Sequence, residues 1–103
     1  LFPKEGDMGA TVVSGMSVSR TVTVGNAPDG LHMRPAMAFA KLARGFRCTV
    51  SVRHGDRTAD GRSQHDLLML IALPGDQLEL HLEGEDADIA IHPLVAILVG
   101  QDD

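Results

Sequence analysis

His32, Arg34 and Pro35 stand almost side by side in DGLHMRPAMAFAKLARGF, Asp29 to Phe46. There a turn gives way to an amphipathic pattern that Gly45 closes. Helices usually begin on Ser, Thr, Asp or Asn; this one begins on an imidazole. The first turn of a helix carries N–H groups with no intrahelical partner, and the dipole there favours negative charge. A phosphate placed at that end meets amides already aimed at it. A neutral imidazole offers a free lone pair and is a nucleophile able to take a phosphoryl group. Arg34 adds a permanent charge on a planar fork of donors suited to phosphoryl oxygens. Pro35 is tolerated because the first turn needs no donor from it. The chemistry on offer is phosphoryl holding, with His32 as acceptor, Arg34 as counter-charge, and the backbone of Met33 and Arg34 as cradle.

A sheet and three helices are expected to position this group. In SVSRTVTV, from Ser17, the residues Val18, Val22 and Val24 share one side, a period-2 pattern of a half-buried strand. RCTVSVRH repeats it with Cys48, Val50 and Val52 inward, HGDR reads as a turn that contains His54, and RTAD as a short returning strand. QLELHLE places Leu78, Leu80 and Leu82 inward and Glu79, His81 and Glu83 on the wet side. A sheet with one apolar and one wet face is expected to be antiparallel and covered on one side.

The first helix is expected over Met33 to Arg44, burying Ala36, Phe39, Ala40 and Ala43. The second is expected in SQHDLLMLIAL, with Ser63 and Asp66 spaced as a capping box and Pro74-Gly75 as the stop. The third, EDADIAIHPLVAILV, opens on acidic residues, and Pro93 predicts a kink or break inside it. The resulting order, βαββαβα, is an α+β open-faced sandwich: a four-stranded antiparallel sheet with three helices on one face. Residues 1–16 read as a flexible extension and 17–103 as the domain.

APDGLHMRPA, Ala27 to Ala36, resembles the active-site signature of the HPr family, the histidine-containing phosphocarriers of the bacterial phosphotransferase system. Gly30, Leu31, His32, Arg34, Pro35 and Ala36 carry the match, and the likeness in pattern runs from about Met16 to the C-terminus. The resemblance implies that His32 accepts a phosphoryl group through Nδ1 from a phosphohistidine on Enzyme I and donates it to a histidine on a IIA-type acceptor. It implies a relay rather than a stand-alone enzyme, with no cofactor or metal. Met33, Met37, Lys41 and Arg44 project together beside the buried face of the first helix and are expected to dock partners, with Gln64 and His65 from the second helix. Ser63 aligns with the serine that HPr kinase modifies in some lineages, and also reads as an ordinary N-cap. After that serine the family usually carries apolar residues; this chain has Gln64, His65 and Asp66.

Composition narrows the field. The chain has 103 residues, 44% of them hydrophobic, and a net charge of −5, a balance that argues against nucleic acid as the main partner. No apolar run approaches a membrane span, and Cys48 is the single cysteine, so a reducing, cytoplasmic setting is expected; the small acidic domain is expected to be a monomer. Five histidines raise a metal site, yet none is paired at ligand spacing and Cys48 has no companion. A regulatory docking module, in a nitrogen-type or other non-sugar branch, is the alternative to sugar uptake.

Overall fold

The computed structural model describes residues 16–25 and 30–100. The expected extension, apart from Met16, and the Ala27–Asp29 part of the signature lie outside them. The elements follow the expected order: β1 (Met16–Thr23), α1 (Met33–Arg44), β2 (Thr49–His54), β3 (Arg57–Asp60), α2 (Gln64–Leu68), β4 (Gln77–Gly84) and α3 (Ala87–Val99). The strands form one antiparallel sheet in the spatial order β1-β4-β2-β3.

β4 is central, and its alternation sets the register. Leu82 pairs with Val18 on one side and Val50 on the other, Leu80 with Arg20 and Val52, and Leu78 with Val22. The apolar members of these pairs, Arg20 being exposed, face Ala36, Phe39, Ala40 and Ala43 of α1, Leu67 of α2, and Ala90, Ile91, Leu94 and Leu98 of α3 in one continuous core. Full burial of a side chain such as Phe39 or Leu80 contributes about 1.5–3 kcal/mol.

Several expectations need correction. His81 does sit on the outer face of β4, but it is only 4% exposed. It pairs with Ser19 on β1 and Ser51 on β2. The Ser19 hydroxyl lies 2.9 Å from Nδ1, while the Ser17 hydroxyl and Glu83 carboxylate lie 3.4 and 3.7 Å from Nε2. Flanked by strands on both sides, the ring is buried rather than on a wet surface.

His54 belongs to the end of β2, paired with Arg57, and not to the turn. α2 is shorter than expected. Ser63 accepts the Asp66 amide at 3.2 Å as a cap should, but the Asp66 carboxylate accepts from the Asp60 amide instead of returning the bond to Ser63. Beyond Leu68 the chain leaves the helix and Ile71 takes a φ of 52°. The Met69 and Leu70 carbonyls are then taken by the side chains of Arg57 and His54. α3 runs through Pro93 without a break. The missing donor leaves the carbonyl of Ile89, a residue on an exposed face, without its helical partner. Asp86 caps α3 with no side-chain bond to its own helix and accepts the Arg47 amide at 2.8 Å.

Cys48, just before β2, is buried. Burial pushes its thiol above the ordinary value; the nearby Asp86 carboxylate adds to this and Arg62 opposes it. The fold therefore favours the neutral thiol. The associated stability is present below the pH at which an unfolded thiol ionises and is lost as pH rises toward the higher folded value. Modification by a thiol-reactive disulfide is expected to be slow in the native protein at neutral pH and rapid in urea, measured by absorbance of the released thiolate.

Candidate functional site at the N-terminus of the first helix

α1 starts because the apolar spacing after Met33 favours a helix packed on the sheet, while His32 remains extended at φ −97° and ψ −164°. The His32 carbonyl accepts the first intrahelical bond, from the Ala36 amide at 2.9 Å. Pro35 has no amide to offer and is buried against the core. The Met33 and Arg34 amides therefore belong to the first turn, where donors have no intrahelical acceptor. The His32 side chain makes no capping bond and is partly exposed, and the first turn holds no acidic residue. The Arg34 guanidinium is exposed on the same turn. A nucleophilic ring, open amides and an exposed cation can together receive an anion from solvent or from another protein.

The loop before the helix is fixed from behind. Gly30 adopts a φ of 72°, and a Cβ there would lie 2.4 Å from the Ala72 carbonyl oxygen and 2.8 Å from the Leu73 Cα. Only a glycine permits this approach. The Leu31 amide then donates to the Ala72 carbonyl at 2.9 Å, and the Leu31 side chain is buried. The segment after α2 thus forms the floor beneath His32.

The expected docking residues are distributed as follows. Met33 is 61% exposed and Met37 50% exposed, with Lys41 and Arg44 open on the same helix. Gln64 comes to this stripe and donates to the Met33 sulfur at 3.3 Å. His65 is exposed on α2. Arg44 is turned aside, donating to the Arg62 carbonyl at 3.0 Å. Ser63 is half-buried with its hydroxyl engaged as the cap. Sequence reasoning missed Met69, Ile71 and Leu73, all large apolar and exposed. A continuous helix would have hidden part of this run, and nothing in the sequence marks the left-handed Ile71 that turns it outward.

A family model described as PTS HPr component phosphorylation site matches residues 18–99. The chain belongs to the HPr family. It is 36% identical to the phosphocarrier protein HPr of Haemophilus influenzae, over 70% of this chain and 85% of that protein. It is also 42% identical to the phosphoryl donor subunit DhaM of a PEP-dependent dihydroxyacetone kinase from Providencia stuartii, over 63% of this chain. The matched region spans only 14% of that longer protein. The crystal structure of HPr from Bacillus anthracis superposes with a TM-score of 0.75 at 26% identity, covering 82% of this chain and 99% of that one. The HPr architecture accounts for the open-faced sheet and for the helix order. Among the described residues, no helix is long and apolar enough to cross a membrane.

Proposed function

We propose that this HPr domain is a phosphoryl relay centred on His32. The lone pair of Nδ1 on a neutral ring attacks phosphorus. The N–P bond to a histidine of an Enzyme I-type donor breaks as the new N–P bond forms, and the same exchange in the other direction loads a histidine of a IIA-type acceptor. The Met33 and Arg34 amides and the Arg34 guanidinium oppose the charge of the group in transit. The chain then needs no metal of its own, because positioning and electrostatics carry the step. Met33, Met37, Lys41 and Gln64 form the surface beside it that meets the donor and acceptor, and the basic residues orient approach on a globally acidic protein. A cytoplasmic monomer serving sugar uptake fits this reading. The observation that carries it is the N-cap imidazole, which makes no bond to its own helix.

A second reading, a regulatory module of a nitrogen-type or other non-sugar branch, is favoured by the polar Gln64, His65 and Asp66 on α2. Both readings keep Ser63 as an N-cap that accepts the Asp66 amide; a phosphoryl group added there by an HPr kinase would place further acceptor oxygens at the helix end and add negative charge to the docking face.

Incubation with Enzyme I and phosphoenolpyruvate, followed by intact mass, tests the relay: the protein is expected to gain one acid-labile phosphoryl group. No gain overturns it. Arg34→Ala is expected to retain the acceptor and slow loading by roughly 10- to 100-fold, the loss of charge-assisted bonds to the transferring group. Rapid-quench measurement of the phosphorylated fraction checks this.

A further inference from the structure

The floor beneath His32 is gripped by a histidine that the relay does not use. His54 closes β2 with its imidazole inserted between two acceptors of one short segment. Nδ1 lies 2.9 Å from the Leu70 carbonyl oxygen, and Nε2 lies 3.2 Å from Oδ2 of Asp76. The doubly protonated ring donates to both, whereas either neutral tautomer donates to one. The same Asp76 oxygen accepts the Leu73 amide at 3.0 Å. With a hydrogen on each ring nitrogen, this one side chain bridges the beginning and end of the span that contains Ile71, held at positive φ, and Ala72, whose carbonyl takes the Leu31 amide. A β-branched residue in that conformation persists only where its surroundings over-determine it.

We infer that His54, together with Asp76, is a positioning residue for His32: its bridge fixes residues 70–76, and the Leu31–Ala72 bond transmits that fixation to the N-cap. The inference rests on the relay reading for its kinetic consequence, but not for its structural one. The bridge is not what folds the segment. Val24 donates to the Asp76 carbonyl and accepts from the Gly75 amide, both at 2.9 Å, and these backbone bonds remain when the imidazole is removed. Loss of the ring should loosen the floor without unfolding the sheet.

The test compares the wild-type domain with His54→Ala and His54→Asn. Hydrogen exchange at the Leu31 amide should accelerate by at least about tenfold in His54→Ala, with the Leu80 and Leu82 amides unchanged, because local opening is independent of the global one. The kcat for loading from phospho-Enzyme I should fall roughly tenfold at constant KM, since the acceptor is misplaced while the docking stripe is untouched. The final yield of phosphohistidine should be the same. His54→Asn keeps a donor near the Nδ1 position but does not reach Asp76, and should fall between the two on both readouts. If His54→Ala fails to fold, the Asn variant is read alone, and wild-type Leu31 exchange in it overturns the inference. So does unchanged Leu31 exchange in folded His54→Ala, or faster exchange with an unchanged loading rate. Should the wild-type protein accept no phosphoryl group, the relay reading fails separately. The inference is then decided by Leu31 exchange and by whether the His32 ring resonances shift in the variants, with no shift overturning it.

Discussion

His32→Ala is expected to abolish phosphoryl acceptance from phospho-Enzyme I completely, leaving an unmodified intact mass where the wild-type protein gains one group. The loss is total because the variant removes the only atom in the cradle that can form the N–P bond. The fold should not register the change. The ring makes no capping bond and is partly exposed, so thermal unfolding should match wild type to within about 0.5 kcal/mol. The other histidines sharpen the experiment. His81 is enclosed on the outer sheet face and His54 is held between Leu70 and Asp76, but His65 and His92 are exposed. A His32→Ala protein that still gains an acid-labile phosphoryl group would move the acceptor to one of those two and dissolve the site assignment.

What could be read from the chain follows the range of the forces involved. Ala36, Phe39, Ala40 and Ala43 are legible as a buried stripe because helix geometry relates neighbours in sequence. His32, Arg34 and Pro35 are legible as a site for the same reason: one helix end brings them together without help from the rest of the fold. For His81 the pattern yields the face but not the depth, since alternation gives direction but not cover. Its burial depends on β4 lying between β1 and β2, an arrangement fixed by pairings far apart in sequence. The end of α2 is hidden from the local pattern in the same way. Pro74-Gly75 is a valid stop, but the helix ends earlier, where side chains from the β2–β3 hairpin take the Met69 and Leu70 carbonyls. The apolar exposure of Ile71 and Leu73, and the floor beneath Leu31, follow from that early exit and could not be read locally.

Two glycine substitutions separate backbone conformation from close approach, and Gly30→Ala is expected to be the damaging one. Gly30 and Gly55 have similar positive φ, 72° and 64°. A methyl group on Gly55 meets nothing within 4 Å, so Gly55→Ala carries only the left-handed penalty, about 1–2 kcal/mol. At Gly30 the new methyl also drives into the backbone at Ala72 and Leu73, atoms that cannot rotate away as a side-chain tip would. Overpacking adds to the same conformational term, and the total should reach about 2–5 kcal/mol, measured by urea denaturation. The functional consequence should also diverge. The only relief at Gly30 is to part the loop from the floor, which breaks the Leu31–Ala72 bond and carries His32 with it. Phosphoryl loading under conditions where the protein is still folded should therefore fall in Gly30→Ala and remain at the wild-type rate in Gly55→Ala. Equal loading rates in the two folded variants would mean that the placement of His32 does not depend on the floor behind it.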